Sequence, residues 1–139
     1  MSHSFKYIGC FVDFKQFHTY IDGIRKHPLQ KNIEYPHVTF AYKPETVDTD
    51  LFGTEIAITI IGYGNDGENE GVLVTLTTDH GRLNEMIKQI AVPHITIAIG
   101  RGAEAVNTKN LHFEAIEPVT ITGIIGGYLE NGTVCLSKI

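Results

Sequence analysis

Two hexapeptides carry the residues of this chain best suited to chemistry. One is Pro36-His37-Val38-Thr39-Phe40-Ala41; the other is Pro93-His94-Ile95-Thr96-Ile97-Ala98. Proline, histidine, threonine and alanine recur at the same offsets, and apolar side chains fill the remaining places. An imidazole exchanges protons near neutral pH, so a pair of them can act as base and acid in one reaction. A hydroxyl two residues further on can donate to a non-bridging oxygen where charge grows in the transition state. This set suits the opening of a phosphodiester. It would need no metal, and the sequence has no His-Glu-x-x-His, no Cys-His cluster and no paired carboxylates beside either histidine.

Both hexapeptides read as strands, because β-branched and aromatic residues alternate with the rest. Alternation places His37, Thr39 and Ala41 on one face, with Val38 and Phe40 on the other. It does the same for His94, Thr96 and Ala98 against Ile95 and Ile97. The apolar faces need a core, which leaves a shallow His-Thr-Ala face for a ligand. Lys43 shares the parity of His37 and would meet a phosphate in the same groove. Tyr42 has the opposite parity and reads as core or edge packing. Tyr7, Phe11 and Tyr128 are the aromatic candidates for stacking on a nucleobase. His18 and His80 fall at helical positions and read as structural or surface residues, and Arg101 reads as surface.

The elements that must position these strands come in a repeated order. Residues 5–12 form a strand, Asp13 can cap a helix, and Phe14, Phe17, Ile21 and Ile24 recur at helical spacing until Pro28 stops the pattern near His27. The first motif strand, 35–43, follows. After a turn-rich link at 44–50, residues 54–63 alternate as a strand, residues 64–71 read as a turn and solvated loop, and residues 72–78 form another strand. Asp79 then repeats the role of Asp13, Leu83, Met86, Ile87 and Ile90 form a helical stripe, and Pro93 opens the second motif strand. Strand, Asp, helix and Pro-His-x-Thr strand thus occur twice, which points to two related lobes. Beyond them the spacing predicts a polar segment with a short helix at 103–106 and a bent or edge strand at 111–123 containing Pro118. A hairpin follows at Asn131-Gly132. The class is α+β and mostly antiparallel, in one domain over residues 1–139.

Composition narrows the partners. The chain has 139 residues, 42% hydrophobic and 19% charged, with a net charge of −5. That length and balance fit one globular domain with a real core. An acidic chain gains little from counterion release, so tight binding to long duplex nucleic acid is not expected. Two cysteines make no disulfide framework, and no apolar run is long enough to cross a membrane. The first residues lack the apolar stretch of a signal peptide. The expectation is a cytoplasmic protein with no cofactor, no membrane and no obligate protein partner.

The duplicated His-x-Thr-hydrophobic motif, on strands in two related halves, resembles the two-histidine (2H) phosphoesterase superfamily. That group includes RNA 2′,3′-cyclic phosphodiesterases once called 2′-5′ RNA ligases. The resemblance implies a bilobal, pseudo-two-fold fold with antiparallel sheets, outer helices and a central cleft. It implies hydrolysis of nucleotide or RNA-end 2′,3′-cyclic phosphates without a metal, with His37 and His94 as catalytic imidazoles and Thr39 and Thr96 as oxygen ligands. The sequence leaves open which histidine is acid and which is base; the resemblance suggests His94 as base and His37 as acid. Two alternatives stand beside this one: a hydrolase of 2′-5′-linked or cyclic signalling oligonucleotides, and a non-catalytic nucleotide-binding module.

Overall fold

The structure, a computed structural model, describes residues 5–45, 47 and 49–137. The start of the chain, with His3, lies outside these residues, as do Thr46 and Asp48 of the link after the first motif. Strand β1 (Phe5–Val12) leads into helix α1 (Phe14–Ile21), the short strand β2 (Lys31–Asn32) and strand β3 (His37–Tyr42). Strands β4 (Glu55–Asn65) and β5 (Asn69–Thr77) form a hairpin, followed by helix α2 (Gly81–Lys88) and strand β6 (His94–Ile99). The long strand β7 (Glu114–Leu129) turns back into β8 (Val134–Cys135), and 3-10 turns occupy Thr49–Leu51 and Ala105–Asn110. The strands form one antiparallel sheet in the order β2-β6-β5-β4-β7-β1-β3, with β8 added on β7. The fold is α+β and dominated by its sheet. Among the described residues no helix is long and apolar enough to cross a membrane.

Local chemistry explains most boundaries. Asp13 caps α1, its carboxylate accepting from the Gln16 amide at 2.8 Å, and Phe17 and Ile21 are fully buried on the inner side. The helix ends at Ile21, earlier than the apolar spacing predicts. Asp22 is the C-cap, Gly23 after it disfavours continuation, and His27 takes a left-handed φ of 52°. Helix α2 is capped by His80 rather than Asp79, the ring Nδ1 accepting from the Leu83 amide at 3.4 Å. Strand β4 buries Ile56, Ile58 and Ile60, as alternation requires. Strand β7 is central rather than an edge, with β4 on one side and β1 on the other. It tolerates Pro118 because the register against β4 shifts there, ahead of the stretch that pairs with β1.

The expected loop after β4 is shorter than its polarity suggests. The Asp66 carboxylate closes it by accepting from the amides of Glu68 and Asn69. Asn69 and Glu70 are already strand residues, 1% and 0% exposed. Burial of Glu70 is possible because Arg25 grips both of its oxygens, at 2.6 and 2.9 Å. The Tyr63 hydroxyl and the Leu29 amide also donate to it. Burial alone would push this carboxyl up, but Arg25, Tyr63 and the Leu29 amide together hold it below the usual carboxylate range.

The two motif strands pair with their neighbours in matched register. On β1 and β3, Phe11 faces His37, Gly9 faces Thr39, Ile8 faces Ala41 and Tyr7 faces Tyr42. On β5 and β6, Leu73 faces His94, Gly71 faces Thr96, Glu70 faces Ala98 and Asn69 faces Ile99. Each ladder slips just before its glycine, which leaves Phe40 or Ile97 as one extra residue. An inserted residue reverses the alternation beyond it. Ala41 and Ala98 therefore leave the His-Thr face, contrary to the simple strand reading, and on β3 Tyr42 takes the place of Ala41. The glycines are sterically required. A Cβ on Gly9 would sit 2.5 Å from the Val38 carbonyl oxygen, and one on Gly71 2.9 Å from that of Ile95. Strands β3 and β6 stand near opposite ends of the strand order yet touch, so the twisted sheet curls until its ends meet.

Because the Gly9 contact is backbone on backbone, Gly9→Ala should lower the unfolding free energy by about 2 kcal/mol in urea titrations. Gly81→Ala, where an added Cβ meets nothing within 4 Å, should leave it unchanged or raise it by a few tenths of a kcal/mol. Equal effects of the two changes would contradict the close approach at the bulge.

Candidate active site

His37, Thr39, His94 and Thr96 line a single pocket of about 690 Å³. Strand β1 adds Lys6 and Tyr7, the end of β3 adds Tyr42, and the 3-10 segment with its approach adds Glu104, Ala105, Val106 and Lys109. The two imidazoles are held alike. His37 Nδ1 lies 2.7 Å from the Tyr35 carbonyl oxygen, and His94 Nδ1 lies 2.7 Å from that of Val92. A carbonyl only accepts, so Nδ1 carries the hydrogen in both rings. The free position is then Nε2, which has no hydrogen-bond partner among the described residues in either ring. The prolines explain why the two ties match. A residue before proline is confined to extended geometry, which orients the carbonyls of Tyr35 and Val92 in the same way. The proline carbonyls are fixed in turn, accepting from the Val12 and Val74 amides at 3.1 Å.

Burial dominates the electrostatics. It lowers the His37 imidazole to about 4, against the opposing pull of the Tyr35 carbonyl, and the nearby His94 lowers it further. His94 is also lowered, first by burial and then by Lys109, again against its carbonyl bond. Both rings are therefore biased toward the neutral form, and an anion placed between them would favour protonation of one.

The two hydroxyls differ. Thr39 makes no hydrogen bond among the described residues and is free to donate into the pocket. The hydroxyl of Thr96, 8% exposed, donates to Thr108 Oγ1 at 2.9 Å and lies 3.4 Å from the Ala105 carbonyl. The Asn69 amide donates to the same Thr108 oxygen and to the Glu104 carbonyl. Thr96 thus anchors the 3-10 wall as well as lining the pocket.

Of the four residues expected to bind substrate, only Tyr7 reaches the pocket, and its ring is already covered. Tyr128 stacks on it at 5.0 Å and 9° from β7, and His37 stacks on it at 4.3 Å and 21° from β3. These strands flank β1 on opposite sides, so each ring face has a partner. Tyr128 is the outer member of that stack. Phe11 is 6% exposed and lies against His37 at 5.4 Å. Neither Tyr7 nor Phe11 presents an open face to a base, and Tyr128, with Tyr35 tilted against it at 6.1 Å, does not line the pocket. Lys43 points elsewhere because the bulge at Phe40 reverses its parity and its own φ is 48°. Its ammonium sits 5.7 Å from the Tyr42 ring centroid. Tyr42, read from sequence as packing, is 62% exposed and lines the pocket. Lys6 and Lys109 also line it, although neither lies in a motif that marks it in the sequence. His18 is buried on α1, 4.2 Å from the Phe14 ring, and Arg101 is exposed beside Lys31 in another pocket. Among the described residues, no three His, Cys, Asp or Glu side chains gather as a metal site. No protein-family model matches the chain, and no curated protein matches it.

The lowered imidazoles have a consequence for stability. Folding holds His37 about 4 against 6.5 for the free residue, so the unfolded chain binds more protons between those values. This contribution is complete above about pH 6.5 and is lost as pH falls toward 4. Urea titrations should show wild type losing about 2 kcal/mol more than His37→Gln over that interval. Parallel pH profiles for the two would contradict the burial of the ring.

Proposed function

We propose that this chain is a two-histidine phosphoesterase that opens 2′,3′-cyclic phosphates of nucleotides or RNA ends, giving 2′-phosphates. The observation that carries the reading is the convergence of His37 and His94 on one pocket with the same tautomer, each presenting Nε2. In this reading the molecule is a duplicated pair of lobes, β1-α1-β3 and β5-α2-β6, with the cleft between β3 and β6. The matched registers and the two glycine bulges support it.

The proposed reaction needs two proton transfers, and each falls to an imidazole. One Nε2 takes a proton from water as its oxygen bonds to phosphorus; the other Nε2–H gives a proton to the departing 3′ oxygen. Thr39 donates to a non-bridging oxygen, with Lys6 and Lys109 offsetting the phosphate charge at the rim. The chemistry assigns no step to a metal ion. A cyclic or 2′-5′-linked oligonucleotide is a second reading, favoured by a pocket of about 690 Å³ with two lysines in its lining, room for a substrate with a second phosphate.

Hydrolysis of the four nucleoside 2′,3′-cyclic monophosphates with chelator present is the direct test, with products assigned as 2′ or 3′ phosphates. Wild type should yield 2′-phosphates with a bell-shaped pH profile, and His37→Ala and His94→Ala should each lose about 10²–10⁴-fold in kcat. Thr39→Val should lose about 10–10²-fold. Retention of most activity by either alanine variant, or its loss to chelator, would reject this mechanism. Turnover of 2′-5′ or cyclic oligonucleotides alone would move the assignment to the second reading.

A further inference from the structure

The backbones around the two histidines match, but their side-chain surroundings do not. In the β1/β3 ladder the position two residues before the bulge glycine is Tyr7; in the β5/β6 ladder it is Asn69. The Tyr7 ring stacks on His37, its hydroxyl lies 3.4 Å from His37 Nδ1, and Tyr128 closes its far side. Phe11, opposite His37, adds a second ring at 5.4 Å. The matching residue opposite His94 is Leu73. Asn69 turns its amide to Thr108 and Glu104, and no ring contact to His94 occurs among the described residues. His37 is therefore packed among aromatic rings, while His94 faces the polar 3-10 wall.

We propose that Tyr7, backed by Tyr128, is a positioning residue that keeps His37 as the neutral, base member of the pair and leaves His94 as the acid. This rests on the phosphoesterase reading, and it reverses the assignment suggested by resemblance. The packed rings keep water from His37, and that loss of solvation disfavours the imidazolium more than the ring faces favour it, so the ring accepts a proton as water is deprotonated beside it. His94, which shares the pocket with Glu104 and Lys109, is the ring whose protonated form a bound phosphate anion stabilises, its proton coming from solvent. Water loses a proton to His37 Nε2 and its oxygen bonds to phosphorus. The bond from phosphorus to the 3′ oxygen breaks, and that oxygen takes the electron pair and the proton of His94 Nε2. The product has a 2′-phosphate and a 3′-hydroxyl, and solvent returns both rings to their starting states. Besides the two histidines, the titratable groups facing this space are Lys6, Tyr7 and Tyr42 from the β1/β3 side, and Glu104 and Lys109 from the wall. Tyr35 and Tyr128 stand behind Tyr7 and His37.

Two measurements test this separately. Histidine side-chain NMR titrations need no turnover: His37 should titrate below His94 and keep its hydrogen on Nδ1. In Tyr7→Leu the His37 midpoint should rise by about one unit, carrying the acid limb of kcat/KM with it, whereas Tyr7→Phe, which keeps the stacked ring, should move both by only a few tenths. If Tyr7→Leu does not fold, Tyr128→Leu should give a smaller rise in the same direction. An unmoved midpoint in the folded leucine variants would overturn the role of Tyr7. For the acid and base roles, a nucleoside p-nitrophenyl phosphodiester supplies a leaving group that departs without a proton. His94→Ala should recover to within about tenfold of wild type on that ester, and His37→Ala should stay at least about a hundredfold down. The opposite pattern would overturn the assignment. A wild-type chain that cleaves no phosphodiester would overturn the underlying reading and the roles with it, while the titrations still decide what Tyr7 does to His37.

Discussion

A single hydrogen bond from each imidazole to a peptide carbonyl two residues back governs the geometry of the pocket. Such a bond contributes only about 1 kcal/mol to stability, yet it fixes which nitrogen carries hydrogen and therefore which nitrogen faces the ligand space. Its reliability depends on the carbonyl. Proline at 36 and 93 confines the preceding residue to extended geometry, and the proline's own carbonyl is tied to the next strand. The strand that follows can lie this close only because Gly9 and Gly71 offer no side chain to the crossing backbone. Proline, histidine and glycine are thus one device in three parts. The first two adjoin in sequence, and the third comes from a neighbouring strand.

The parts of this device differ in how visible they are in a sequence. The Pro-His-x-Thr strings, the caps at Asp13 and the Asn-Gly hairpin are local, and local patterns carried them. The buried alternation of Ile56, Ile58 and Ile60 was equally open to view. A bulge is not local: it exists only against a partner strand, and nothing around Phe40 or Ile97 announces it. Strict alternation past those residues put Ala41 and Lys43 on the histidine face and left Tyr42 off it. One inserted residue on β3 accounts for all three reversals. Lys6 and Lys109 escaped for a related reason, since their place in the pocket is set by how the sheet curls rather than by their neighbours in sequence.

Polarity misled in one further place. Glu68-Asn69-Glu70-Gly71 has the composition of a solvated loop, and its last three residues lie in the interior. A lone carboxylate there would cost several kcal/mol. Glu70 is tolerated because Arg25 and two further donors satisfy its oxygens, and Arg25 itself is held by the Leu29 carbonyl and the Asn32 side chain. Such a pair adds little net stability over apolar packing, but it is demanding in geometry. Its effect is to fasten the connection after α1 onto β5, the strand whose next residue is the bulge glycine opposite Thr96. The polar pair therefore sits where an error in register would displace a pocket residue.

The matched ladders separate two kinds of control that usually come mixed. Everything the backbone dictates is the same at both histidines: the register, the bulge, the glycine, the proline and the 2.7 Å tie. Everything the side chains dictate differs, with tyrosine and phenylalanine beside one ring and asparagine, leucine and a polar wall beside the other. Position and proton affinity are set independently, the first by main-chain hydrogen bonds and the second by what excludes water from each ring. Two imidazoles in identical surroundings would compete for the same proton, and neither would be held ready as acid or base. A matched scaffold with unmatched linings removes that degeneracy without moving either nitrogen.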